Sequence, residues 1–202
     1  MTERQIIDGC RTGDAAAQRE LYERFGATMM GICCRYVRDR AMAEDLLHDG
    51  FITVFTKIGE YRGDGSFEGW IKRIFVNTAL GHLRKRNPIK DSDQIDNVAW
   101  LDSGDTDALE KISADDLRDK ITSLPDGYRT ILNLYAVEGY SHKEIGEMLG
   151  ISENTSRSQY FRARGKLVEM IAEDEPGQQR PHHHPSLKKA EELTGSLSRE
   201  GP

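Results

Sequence analysis

The stretch GYSHKEIGEMLGISENTSRSQYFRARGKL, residues 139–167, leaves little freedom of local structure. Ser141 is placed to cap a helix, and Glu144 three residues later completes a capping box. Ile145, Met148 and Leu149 share one face at helical spacing. Gly150 ends the helix, because the left-handed position after a helix costs glycine no Cβ clash. Ile151 is an apolar plug in the turn, and Ser152 caps a second, longer helix, a contribution of about 1 kcal/mol. Two capped helices joined by so short a turn cross steeply, and the second projects outward. Its stripe of Tyr160, Ala163, Leu167 and Ile171 is expected to face the core. Asn154, Arg157, Ser158, Phe161, Arg162 and Arg164 lie between those positions. The N-terminal polar residues of such a helix can meet base edges in a major groove while its arginines reach phosphates. The competing reading is an amphipathic hairpin with a solvated basic face. Cap, turn and basic outer face agree better with nucleic acid.

Net charge argues the other way until it is divided along the chain. The total is −6 over 202 residues. Residues 1–90 carry 15 basic and 12 acidic side chains, residues 91–116 carry 1 and 9, residues 117–172 carry 8 and 7, and residues 173–202 carry 4 and 6. Two mildly basic modules are thus separated by an acidic joint, and the overall sign misleads. Cys10, Cys33 and Cys34 lack CxxC spacing and read as reduced, buried thiols of a cytoplasmic protein. No stretch approaches the roughly 18 apolar residues of a membrane span, and no signal peptide opens the chain.

The expected fold is all-α, with two small helical domains joined by a flexible acidic linker. Helices are expected over Thr2 to Arg11, residues 15–37 after Asp14, Arg40 to Lys57 after Asp39, and Phe67 to Lys85 after Ser66. Asn87-Pro88 stops the last of these, since a residue before proline avoids the helical region. The domains are expected at 1–90 and 113–172, the linker at 91–112, and a disordered tail at 173–202. Within the second domain, Ser113 with Asp116 starts one helix and Leu124-Pro125-Asp126 starts another.

The fourth helix interleaves aromatics with bases: Phe67, Trp70 and Phe75 among Lys72, Arg73, Arg84, Lys85 and Arg86. Basic residues neutralise phosphates, and aromatic faces stack on unpaired bases at about 1–3 kcal/mol each. The same aromatics are also spaced as a core stripe, and Trp70 is expected to pack at least in part. His182-His183-His184 sits between prolines without the fixed geometry that a metal site needs. No metal, cofactor or catalytic residue is expected, as no nucleophile–base pair or phosphate-cradling glycine loop stands out.

The segment DRAMAEDLLHDGFITVFTKIGEYRGDGSFEGWIKRIFVNTALGHLRKR resembles region 2 of the bacterial sigma-70 family, and LPDGYRTILNLYAVEGYSHKEIGEMLGISENTSRSQYFRARGKL resembles its region 4. Two regions in this order, joined by a short linker, resemble the extracytoplasmic-function (ECF) group over about residues 8–172. The resemblance implies a promoter-specificity subunit that is a monomer when free. Its implied partners are core RNA polymerase, promoter DNA and an anti-sigma factor. It assigns Asp45, Asp49 and Phe51 to the clamp helices of the polymerase's largest subunit. It assigns Tyr61, Phe67, Trp70, Lys72, Arg73, Asn77, Arg84 and Arg86 to the melted −10 strand. Ser152, Asn154, Thr155, Arg157, Ser158, Phe161, Arg162 and Arg164 fall to the −35 duplex. Gly81 stands where many relatives carry Asp or Asn, Ser156 where many carry Val, and Gln159 where many carry Arg. Ser156 is expected to soften packing, and Gln159 to shift base preference towards adenine. The alternatives are a stand-alone helix-turn-helix regulator and a sigma-like mimic that binds an anti-sigma factor.

Overall fold

The computed structural model describes residues 1–86 and 112–173. The expected linker and tail, His182–His184 included, lie almost wholly outside these residues. Among them there are eight α-helices and no strand. The N-terminal unit holds α1 (Glu3–Arg11), α2 (Ala15–Tyr36), α3 (Arg40–Lys57) and α4 (Phe67–Arg86), with a 3₁₀ turn at Ile58–Glu60. The C-terminal unit holds α5 (Ala114–Ser123), α6 (Asp126–Leu132), α7 (His142–Leu149) and α8 (Glu153–Glu173). α6 runs on into a π-helical stretch, Asn133–Val137.

Short polar side chains set the helix starts. Asp14 accepts from the Ala16 amide, Asp39 from Met42, Ser66 from Gly69 and Ser113 from Asp116. Each satisfies one of the backbone donors that a helix start leaves unpaired. Ser141 and Glu144 form the expected reciprocal box. A second box, Thr2 with Gln5, opens α1 and was not anticipated.

Leu21, Met29 and Ile32 of α2 pack with Leu46 and Val54 of α3 and with Ile71, Phe75 and Leu80 of α4. α3 meets α4 closely because Gly50 has no side chain: a Cβ there would lie inside the Phe75 ring. A second cluster joins Leu124 and Leu132 to Ala163, Leu167 and Ile171 of α8.

The two helical domains form as expected, and they also dock on each other. The N-terminal cluster continues into Ile131, Leu134, Ile145, Leu149 and Ile151. The end of α2 and the residues just after it meet polar groups of the C-terminal unit at the junction. Arg38 donates to the carbonyls of Thr122, Ser123 and Leu124, at the C-terminal end of α5 where the helix dipole favours a cation. Arg129, only 2% exposed, donates to Thr122 and Leu124, to the Tyr36 carbonyl and to Asp126. Burial lowers its pKa, against the pull of Asp126. Asn133 donates to the Arg35 carbonyl, and Arg35 pairs with Glu138 at 2.6 Å.

Candidate polymerase and nucleic-acid interfaces

Along α3, Leu46, Leu47, Gly50 and Val54 turn inward, which leaves Glu44, Asp45, His48, Asp49 and Ile52 outward. Asp45 and Asp49 therefore share an exposed acidic face, as expected. Phe51 does not join them. It is 3% exposed and packs against the rings of Tyr22, Phe55 and Phe75. Two residues beyond Asp49 on a helix is about 200° round the axis, so Phe51 points to the opposite side. The apolar residue beside the acids is Ile52, 63% exposed. Its spacing of seven from Asp45 and three from Asp49 was the signal in the sequence.

The loop between α3 and α4 is held open at one edge of the N-terminal unit. Arg11 donates to the Tyr61 carbonyl at 2.7 Å, and the Tyr61 hydroxyl donates to the Gly65 carbonyl at 2.8 Å. Gly65, at φ 106°, occupies backbone space that other residues avoid. Tyr61, Phe67 and Trp70 then form a ring cluster, with centroids 5.1 to 5.9 Å apart. Tyr61 and Trp70 are half-buried, so part of each ring is open. Phe67 is a correction: it is 1% exposed and supports the other two from below rather than offering a face to a base. Arg73, Asn77 and Arg84 are exposed on α4, whereas Lys72 is half-buried and pairs with Glu68 at 2.7 Å. The Arg86 side chain lies outside the described residues. A Cβ on Gly81 would meet nothing within 4 Å, so the position has room for a side chain.

In the C-terminal unit the helix-turn-helix forms as expected. Gly150 takes φ 72°, and Gly146 lets the turn close, since a Cβ there would press on the Ile151 carbonyl. The buried side of α8 is Ser156, Gln159, Ala163, Leu167 and Ile171, while Tyr160 is half-buried. The inward stripe is thus shifted by one residue at its start. Gln159, 4% exposed, cannot reach a base edge, and the expected adenine preference finds no support. Ser156 does not leave a packing defect either. Its hydroxyl lies 3.0 Å from Nδ1 of His142, whose ring stacks on Tyr135 at 4.2 Å. Burial, then the Arg157 charge, lowers the His142 pKa.

Ser152, Asn154, Arg157 and Arg164 are exposed on α8; Thr155, Ser158, Phe161 and Arg162 are half-buried. The Ser152 hydroxyl caps the Thr155 amide and meets the Thr155 hydroxyl at 2.8 Å. The Ser158 hydroxyl donates to the Thr155 carbonyl at 3.0 Å. Arg157 pairs with Glu153 at 2.6 Å. Burial pushes the Tyr140 phenol up, against the Arg73 charge. Cys10 and Cys33 are buried as expected, but Cys34 is exposed. No group of three metal-ligating side chains occurs among the described residues.

Family models place this geometry. Residues 21–89 match sigma-70 region 2, and residues 114–167 match sigma-70 region 4. The RNA polymerase sigma-H factor of Pseudomonas aeruginosa is 34% identical over 175 residues, covering 80% of this chain and 90% of that protein. The ECF RNA polymerase sigma-E factor of Haemophilus influenzae is 31% identical over 182 residues, covering 85% and 96%. Among solved structures, the sigma factor RpoE of Bartonella quintana, crystallised with the anti-sigma factor NepR, shares the fold. It is 21% identical, covers 77% of this chain and 97% of that one, and has a TM-score of 0.50. On the family models and the curated relatives, the chain belongs to the sigma-70 family of RNA polymerase sigma factors, in its ECF group.

Proposed function

We propose that this chain directs transcription initiation as the promoter-specificity subunit of bacterial RNA polymerase, with α3 on the polymerase, α4 and its preceding loop on the melted −10 strand, and α8 on the −35 duplex. The polymerase performs the chemistry, and the chain contributes no active site. Family membership supports core polymerase, promoter DNA and an anti-sigma factor as its partners. It also supports work in the cytoplasm. Among the described residues, no helix is long and apolar enough to cross a membrane.

The observation that carries the reading is the presence of two different nucleic-acid faces in one chain. On α4 and the loop before it, half-buried Trp70 and Tyr61 stand with the exposed cation Arg73 and the amide Asn77, which suits stacking on unpaired bases. On α8, polar residues and arginines on a helix-turn-helix suit a major groove. A simple operator-binding regulator needs only the second. The domain limits follow: residues 1–90 for polymerase and −10 binding, 91–112 as linker, 113–172 for −35 binding, and 173–202 as tail.

Run-off transcription with purified core polymerase and a pool of promoter fragments tests this. Transcripts from discrete start sites that require the added chain are expected. If the chain neither binds core polymerase nor confers start sites, the reading fails. An operator-binding regulator then follows if it still binds duplex, and a mimic if it binds no DNA.

A further inference from the structure

We propose that Glu153 is a specificity-determining residue of α8, acting through Arg157; this rests on the assignment of α8 to the −35 duplex. Glu153 occupies the first turn of the helix, and its carboxylate accepts from Arg157 one turn on at 2.6 Å. Both side chains are exposed, so duplex can reach either. They line the open groove between the starts of α7 and α8, together with His142, Lys143, Ser141 and Glu144. The Arg157 hydrogen bond, followed by the charges of Arg157 and Lys143, holds the Glu153 carboxyl below its ordinary range. The chain thus holds its own anion where basic groups from both helices converge and where a backbone phosphate would otherwise be drawn.

Two consequences follow from electrostatics. A phosphate competing for Arg157 meets a carboxylate already bonded to it and is repelled by that carboxylate. Contacts to phosphate are blind to sequence, so weakening them lowers binding to every duplex. A base edge competes differently. A guanidinium tethered by one nitrogen still has free N–H donors for guanine O6 and N7, and the tether fixes its direction. A carboxylate on the first turn can also accept from a cytosine amino group. Glu153 therefore penalises non-specific binding more than specific binding.

The test uses holoenzyme assembled from core polymerase and the full chain. Its probes are a duplex carrying an upstream element mapped by run-off transcription and a random-sequence duplex of equal length. Glu153→Gln keeps the side-chain shape and removes the charge. It is expected to tighten random duplex by about threefold, the scale of an exposed ion pair, with a smaller gain or a loss on the mapped element. The salt dependence of random binding steepens, as one more phosphate is engaged. In an Arg157→Ala background, Glu153→Gln is expected to leave the ratio of the two affinities unchanged. If instead the glutamine variant tightens both duplexes equally, or gives the same change with and without Arg157, Glu153 acts only as a general surface charge and the proposal fails. Discrete start sites in run-off transcription would stand in either case, so the two readings fail separately.

Discussion

Phe51 and Ile52 are neighbours in sequence with opposite roles. Phe51 fills the space between α2, α3 and α4, whereas Ile52 stands in solvent beside Asp45 and Asp49. Truncating a buried phenylalanine costs about 3–5 kcal/mol, and truncating an exposed residue stays within about 0.5 kcal/mol. Phe51→Ala is therefore expected to lower the melting temperature sharply, while Ile52→Ala keeps the fold and weakens binding to core polymerase; thermal melts and a polymerase pull-down separate the two. The acidic pair could be read from the sequence because charge marks a surface residue. The aromatic could not be assigned as safely, since a ring serves a core and an interface equally well. Phe67 illustrates the same ambiguity, and so does Gln159, whose polar side chain is buried. The thiols give a second check at this scale. Burial, then the neighbouring Cys34, pushes the Cys33 thiol up to about 12. A thiol reagent at pH 8 should modify Cys34 rapidly and Cys10 and Cys33 only on unfolding, as counted by intact mass.

Helix limits were readable because caps and breakers are local, and Asp14, Asp39, Ser66, Ser113 and Ser141 all cap where expected. The π-helical stretch after α6 carries no such local sign. Nor does the difference between two glycines in helix interiors. Gly50 lies under the Phe75 ring, and Gly81 faces open space. Alanine gains about 1 kcal/mol over glycine in a helix interior, but overpacking costs about 1–3 kcal/mol. Gly81→Ala is expected to stabilise the protein and Gly50→Ala to destabilise it, measured by urea unfolding; equal effects would refute the close α3–α4 contact. In the helix-turn-helix, His142 ties α7 to α8 through Ser156. Its pKa is lowered in the fold, chiefly by burial, so the folded state prefers the neutral ring. The unfolded chain takes up the proton first, near about pH 6.5. Stability is then lost as pH falls from that value through the lower folded pKa. Melts at pH 7.5 and 5.5 should show this loss, and His142→Gln should shrink it.

The docking of the two units could not be read from the sequence, because its partners lie far apart in the chain. Arg35 and Glu138 are 103 residues apart, and Arg38 and Leu124 are 86. The junction is strong in hydrogen bonds but incompletely satisfied. Among the described residues, Arg35 Nε, Tyr36 Oη, Arg129 Nε and Asn133 Oδ1 are buried there without a hydrogen-bond partner. Each such atom costs about 1–3 kcal/mol, which favours a junction that can open. On the proposed roles, α4 and α8 take separate elements of one promoter, and the docked junction limits how far apart the two can be held. The free protein is therefore expected to bind promoter duplex weakly. Combining Arg38→Ala with Glu138→Ala should raise its radius of gyration in small-angle scattering and leave the helical content unchanged.

The assignment of α4 to melted DNA and α8 to duplex is tested most directly by permanganate reactivity and footprinting of one holoenzyme–promoter complex. Asn77→Ala and Arg157→Ala change exposed residues of the two helices. We expect Asn77→Ala to reduce thymine reactivity around −10 while the upstream footprint persists. We expect Arg157→Ala to erode the footprint around −35. Loss of upstream protection in the Asn77 variant, or an unchanged −35 footprint in the Arg157 variant, would contradict the assignment.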